Sequence, residues 1–352
     1  MSMRRLLGAF DAWREQGETL VLATVYETLG STYTKAGHRM LIAANGDYQG
    51  LVSGGCLEGD LAERAEQVAA SGTALAVSYD LRDEADDLWG LGVGCNGLLR
   101  VLLQPLLPGQ GYEPFGSIAN ALQQRDSTLV ATIIESGRSG TEVGGTLLQQ
   151  AGRARHWGID AEFADHLSAQ IAAEGGGEAR LVADSRGAVV LFAPLRPIPR
   201  LLVLGAGLDA IPLVDMAADL GWRVWVADHR PGYLERGGFE AAEQASNVDP
   251  RDLARSFDLD SFDAIIVMSH HLLTDRAYLA QLAEIDVAYL GVLGPPARRQ
   301  RLLVDLGDQG LGLQARLKGP VGLDIGANSP ETIALSILAE IQATFAGYPR
   351  AS

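Results

Sequence analysis

The chain has 352 residues, 47% of them hydrophobic, with 28 basic against 44 acidic side chains and a formal charge of −16. That length suits two domains or three. The acidic balance argues against a nucleic-acid partner, whose phosphates it would repel. No apolar run approaches the ~18 residues of a membrane span, and the start MSMRRLLGAFDAW reaches Asp11 and Arg14 too early for a signal-peptide core. A soluble, cytoplasmic protein is expected. Its two cysteines, Cys56 and Cys95, cannot form a disulfide framework.

In chain order, residues 1–16 predict an amphipathic helix with Leu6, Leu7, Phe10 and Trp13 on one face. A short strand is expected over 19–24, and a hairpin from 39–43 and 48–53 around Asn45-Gly46. A helix over 60–70 follows Gly54-Gly55-Cys56, and strands are predicted at 74–79, 98–104, 129–135 and 188–193. Pro194, Pro197 and Pro199 then break the chain, which places a domain boundary there, with residues 1–198 and 199–352 on either side.

Beyond the prolines the pattern becomes strand–helix alternation. Strands are predicted at 201–204, 223–227, 264–268 and 287–291, and helices at 208–220, 272–283, 297–306 and 331–345. Continuous apolar strands between helices predict a doubly wound parallel sheet. The fold class is therefore α/β, a mixed N-terminal domain followed by a Rossmann-like one.

Gly205-Ala206-Gly207-Leu208-Asp209-Ala210 follows a strand and opens a helix, with Asp228 at the end of the next strand. This is the dinucleotide fingerprint. Gly205 would make the tight turn, Gly207 would admit a pyrophosphate, and Ala210 would let helix and strand pack. Asp228 could accept from ribose hydroxyls, and Arg230, after His229, could instead hold a 2′-phosphate, so NAD and NADP both remain open. The turn equally suits a nucleotide fold that has exchanged or lost its ligand. His270, Asp324 and Gly326 are expected near the same crevice, beyond the carboxyl ends of the strands. Arg298, Arg299 and Arg301 suit a solvated helix face or, alternatively, an anionic contact.

Ser53-Gly54-Gly55-Cys56 makes a tight turn into a helix, and Cys95-Asn96 sits in a second glycine-rich turn, GVGCNG. A helix start favours thiolate, while Glu58 and Asp60 oppose it. Two thiols in nests of backbone donors suit an anionic, soft-metal or sulfur-bearing ligand. A structural zinc site would need four ligands, and neither CxxC nor GxSxG occurs.

GSTYTKAGHRML at 30–41, GLVSGGCLEGDL at 50–61, WGLGVGCNG at 89–97 and GPVGLDIGANSPETIALSILAEI at 319–341 together resemble the XdhC/CoxI family. Members of that family are accessory proteins of molybdenum hydroxylases such as xanthine dehydrogenase and carbon monoxide dehydrogenase. The resemblance implies a factor that binds the molybdenum cofactor (molybdopterin), assists its sulfuration with a cysteine desulfurase, and delivers it to the hydroxylase client. It implies a cytoplasmic homo-oligomer that is an accessory protein more than a stand-alone enzyme. It also makes Cys56 and Cys95 candidate catalytic residues and molybdenum ligands. Ser53, Gly54, Gly55, Asn96, Gly205, Gly207, Ala210, Asp228, His229, Arg230, His270, Asp324 and Gly326 become candidate cofactor contacts. The family loop often carries arginine at Thr34 and a small residue at His38, so one anion contact is expected to be weaker here. The competing expectation is an NAD(P)-dependent oxidoreductase assisted by Cys56 or His270. The paired cysteine turns, which a simple dehydrogenase does not require, separate the two readings.

Overall fold

The computed structural model describes residues 3–82, 97–174 and 177–347. The chain divides into two compact units, Met1–Pro197 and Ile198–Ser352.

In the first unit, α1 (Met3–Gln16) precedes β1 (Leu20–Gly30), β2 (Arg39–Ala43) and β3 (Tyr48–Gln49), and α2 (Glu58–Ser71) leads to β4 (Leu75–Asp80) and β5 (Gly97–Leu106). After α3 (Phe115–Gln123) the same succession returns as β6 (Thr128–Ser136), β7 (Thr146–Gln150), β8 (Arg153–Trp157), α4 (Ala161–Glu174), β9 (Arg180–Asp184) and β10 (Ala188–Leu195). The sheets have corresponding orders, β3-β2-β1-β5-β4 and β8-β7-β6-β10-β9, and every pairing in them is antiparallel. The unit is thus two copies of one βββαββ module.

Strand periodicity explains how the modules meet. Val21, Ala23, Val25, Val101 and Leu103 face α2 in one core, and Ala131, Ile133, Val190 and Phe192 face α4 in another. The alternate residues Tyr26, Leu102, Ile134, Leu191 and Ala193 form a third cluster that joins the two sheets. Successive side chains of a strand point to opposite faces, so each sheet is buried on both.

Two sequence expectations change here. The segment between β6 and β10 carries α4 and three strands that apolar periodicity does not announce. Pro194 does not end its strand: it lies inside β10, opposite Leu129, beyond Phe192, where the β9 ladder stops. A proline without a ladder partner on that side is tolerated.

The second unit runs β11 (Arg200–Leu204), α5 (Ala210–Asp219), β12 (Arg223–Asp228), α6 (Pro231–Glu235), β13 (Gln244–Asn247), α7 (Leu253–Ser256), β14 (Ala264–Val267) and α8 (Leu272–Gln281). It continues through β15 (Tyr289–Val292), α9 (Pro296–Asp305), α10 (Asp308–Leu313), β16 (Leu317–Lys318) and α11 (Pro330–Phe345). The sheet is parallel with order β13-β12-β11-β14-β15-β16, the doubly wound order whose direction reverses between β11 and β14. Leu201 and Val203 face α5 and α11, whereas Leu202 and Leu204 face α8 and α9.

Helix α11 is fixed by its own sequence. Ser329 accepts from the Thr332 amide in a capping box, and Pro330 supplies the preset first turn. Glu340 then accepts from the Gly322 amide at 2.7 Å and from the Tyr289 hydroxyl. Ser336 donates to the Leu323 carbonyl at 2.6 Å. Much of the GPVGLDIGA…SPETIALSILAEI pattern therefore holds a helix to a loop.

Candidate functional site

The SGGC turn is built around a buried carboxylate. Glu58, fully buried, accepts from the amides of Val52 at 2.9 Å, Ser53 at 2.8 Å, Gly55 at 2.9 Å and Leu57 at 3.3 Å. The Ser53 hydroxyl donates to it at 2.5 Å and itself accepts from the Leu57 amide at 2.8 Å. Burial pushes the Glu58 carboxyl up, but the Ser53 hydroxyl and the Ser53 and Val52 amides outweigh it, and its pKa lies below the usual value. This changes the sequence reading in two respects. Most of the turn's backbone donors serve Glu58 rather than an external anion, and Ser53 braces the turn. What the turn presents outward is the Cys56 thiol, which is exposed and free.

Beside Cys56 lies a small hollow bordered by Ser31, Tyr33, Leu57, Leu81 and Gly97. Leu81 and Gly97 belong to the hairpin of β4 and β5, and the Leu81 amide donates to the Gly97 carbonyl at 2.9 Å. Cys95 and Asn96 fall in that hairpin's connection and lie outside the described residues. The chain that carries the second cysteine motif thus leaves and re-enters the sheet at the hollow beside the first. In the second module the same hairpin is a tight turn, with the Gly187 amide donating to the Asp184 carbonyl, so the GVGCNG segment is an insertion peculiar to the first module.

Tyr33 also borders a cavity of about 940 Å³ whose wall includes Lys35, His38, Arg39 and Arg196. A methyl group on Gly54 would meet the Tyr33 ring at 3.4 Å, so the ring rests on the cysteine turn. Thr34 is buried and donates to the Val52 carbonyl at 2.7 Å. That hydroxyl ties loop 31–38 to the cysteine turn. His38 lines the cavity, its Nδ1 3.1 Å from the Lys35 carbonyl. The Arg39 guanidinium donates to the Gly37 carbonyl at 3.2 Å, and burial pulls its pKa down to about 10. Sequence reasoning attaches no role to Tyr33, Lys35 or Arg39. Their signal is the GSTYTKAGHR run, which reads as a loop because no periodicity marks its ligand-facing side.

In the second unit, Gly205 has φ +133°, and a Cβ there would strike the Met268 carbonyl. Its role is the close approach of β11 to the end of β14. Ala210 is wholly buried against the sheet. Gly207 is different, because a Cβ there would run into the carboxylate of Asp209. That carboxylate lies 2.7 Å from His270 Nε2. His270 holds φ +61°, and its pKa is raised by the hydrogen bond to Asp209 against the opposing effect of burial.

Asp228 is fully buried and fully engaged. Its two oxygens accept from the Ala206 amide at 2.7 Å, the Arg230 amide at 2.8 Å and the Arg230 guanidinium at 2.9 and 2.8 Å. His229 Nδ1 stands 3.3 Å from the same carboxylate. A carboxylate has about four acceptor sites, so none is left for a ribose hydroxyl, and Arg230 is committed to Asp228 rather than to a 2′-phosphate. The Asp209 carboxylate also stands over Gly207, so the two groups that would meet a dinucleotide are engaged within the protein.

Asp324 and Gly326 lie on the exposed part of the loop before α11. Of the arginine trio, Arg298 donates to buried Asp275 at 2.5 Å, Arg299 to the Leu317 carbonyl at 2.8 Å, and Arg301 stands 3.8 Å from Asp305. Arg298 and Arg299 thus make internal contacts, while Arg301 stays on the exposed face of the helix. Among the described residues no group of three or more His, Cys, Asp or Glu side chains forms a metal cluster, and no helix is long and apolar enough to cross a membrane.

The family described as the XdhC Rossmann domain matches residues 201–341, and the XdhC and CoxI family matches residues 13–80. The chain is 32% identical over 331 residues, covering 94% of each protein, to a probable xanthine dehydrogenase subunit of Bacillus subtilis (strain 168). It is 24% identical over 327 residues, 92% of this chain and 83% of the relative, to the molybdenum cofactor insertion chaperone PaoD of Escherichia coli (strain K12). A crystal structure described as a xanthine dehydrogenase from Bacillus halodurans superposes with a TM-score of 0.79 at 29% identity, covering 100% of this chain and 98% of that one. With family matches over residues 13–80 and 201–341 and a relative 32% identical along 94% of the chain, the chain belongs to the XdhC and CoxI family.

Proposed function

We propose that this protein is a maturation factor that holds the molybdenum cofactor as cargo and delivers it to a molybdenum hydroxylase. The observation that carries this reading is the Cys56 turn. The fold spends a buried carboxylate and at least five donors on bracing the Ser53–Cys56 loop, whose outward product is one exposed thiol. A soft thiolate is a suitable ligand for a molybdenum centre, and the basic cavity that Tyr33 also borders suits the anionic remainder of the cofactor. Cys95, from the connection that starts and ends at the same hollow, is the natural second thiol. On this reading the sulfur that replaces an oxo ligand comes from a cysteine desulfurase, and Cys56 keeps the cofactor's metal end accessible. The relative named as a cofactor insertion chaperone supports the same assignment.

A nicotinamide-dependent oxidoreductase is disfavoured by Asp209 over Gly207 and by the saturated Asp228. The deciding experiment loads the protein with cofactor released from a molybdenum hydroxylase, measures molybdenum bound per chain, and then adds the cofactor-free hydroxylase. Retention of molybdenum and activation of the client are expected, both reduced in Cys56→Ser at unchanged melting temperature. A parent protein that retains no molybdenum and activates no client would overturn the assignment.

A further inference from the structure

The cavity beside Tyr33 has a chemical character that family membership does not specify. Its volume of about 940 Å³ is that of a small-molecule site, for which roughly 300–1,000 Å³ is usual. It lies within the first unit, at the seam where the apolar faces of the two modules meet, so one wall is Tyr26, Leu181 and Ala193. The other wall is loop 33–39 and is cationic. Lys35 is one of only two lysines in a chain of formal charge −16.

Among the described residues, neither Lys35, Arg39 nor Arg196 pairs with a carboxylate. The two carboxylates in the wall do not neutralise them: Glu27 is taken by Arg100 at 2.7 Å, and Glu178 is exposed. A guanidinium has five donors, and among the described residues Arg39 donates to the Gly37 carbonyl. Lys35 and Arg196 are exposed and Arg39 is half-buried, so an anionic ligand in the cavity would meet positive charge that no carboxylate pair already neutralises.

We propose that this cavity holds the organic part of the cargo, with its phosphate on Arg39 and Lys35 and its ring system toward Tyr33, while the metal end reaches Cys56. Tyr33 connects the two ends. It is 65% exposed, borders both hollows and rests on Gly54, so a planar ring laid on it would extend from the cationic wall to the thiol. Thr34 fixes that arrangement by anchoring the loop to Val52. The inference rests on the cargo reading and adds a division of labour: loop 33–39 recognises the phosphate, and the cysteine turn recognises the metal.

The test uses the full-length chain and two metal-free probes, the pterin dithiolene with its phosphate and the same compound dephosphorylated, each followed by the fluorescence of its oxidised pterin. The parent should bind the phosphorylated probe more tightly by roughly tenfold or more, the range of a charged hydrogen bond. Arg39→Ala with Lys35→Ala should erase that preference, and Arg39→Lys should restore part of it. Circular dichroism confirms folding, and Lys35→Glu on the exposed loop gives a second readout if Arg39→Ala is unstable. Equal binding of the two probes by the parent, or a preference that survives loss of Lys35 and Arg39, would overturn the inference. If molybdenum loading persists while the preference is absent, the cargo reading stands and only the cavity assignment falls. A parent that takes up neither molybdenum nor pterin removes both.

Discussion

Asp209 Oδ2 lies 2.7 Å from His270 Nε2 across the turn that opens α5, so a protein carboxylate occupies the approach that a diphosphate takes in dinucleotide-binding relatives of this fold. The pair has a titration signature. His270 is raised above its ordinary 6.5 by the bond to Asp209, so its stabilising contribution is complete below about 6.5 and is lost as pH rises through the folded-state value. In Asp209→Asn the imidazole midpoint should fall, and proton NMR of the histidine C–H resonances reads it directly. An unchanged midpoint would mean that the pair does not form in solution.

The two glycines of the same turn should respond differently to one methyl group. Gly205→Ala sets a Cβ against the Met268 carbonyl at a backbone angle that disfavours side chains, and a loss of about 3 kcal/mol is expected. In Gly207→Ala the Cβ meets only the flexible end of Asp209. The carboxylate turns away at a cost of about 1 kcal/mol or less, and His270 titrates lower. Urea denaturation of both variants, with the histidine titration of the second, checks the contrast.

Removing the brace beneath the cysteine turn should cost stability as well as cargo. Glu58→Ala leaves several buried amides without an acceptor, a loss of about 3 kcal/mol. Because the Glu58 pKa is depressed from 4.5, its contribution is present above about 4.5 and disappears as pH falls through the lower folded-state value. Parent and variant melting curves should therefore converge in acid. Convergence at alkaline pH instead would contradict the assignment.

Arg298 is expected to be structural. Its guanidinium faces Asp275, which is fully buried and also accepts from the Ser269 hydroxyl at 2.5 Å. Arg298→Ala would strand that carboxylate, with an expected loss of about 3–5 kcal/mol, whereas Arg301→Ala, on an exposed 3.8 Å pair, should fall within about 0.5 kcal/mol of the parent. Equal melting temperatures for the two would show that the helix carries a solvated basic face after all.

The Rossmann half was largely legible because its strands are buried on both faces. Runs such as Leu201–Leu204 and Ala264–Val267 are continuously apolar, and prolines, glycines and a serine cap punctuate the helices. The duplicated module of the first unit was not legible. β8 is exposed over Arg153–His156, β9 is mostly half-covered, and strands paired on one side need not carry an apolar run. The order of strands, and hence the duplication, depends on distant pairings that no local pattern encodes, such as Leu20 with Leu106 and Thr128 with Leu195.

The site divides along the same line. Residue types and spacing marked Cys56, its glycines, and the Gly205–Ala210 turn, because only certain residues tolerate those backbone angles. Which groups spend their hydrogen bonds internally was decided by tertiary structure alone. Glu58, Asp228 and Arg230 read as free charges in the sequence, and the fold commits each to a buried partner since a desolvated charge must be compensated. Conversely, Lys35 and Arg39 read as ordinary loop cations, and only the meeting of the two sheets sets them along one wall of a cavity.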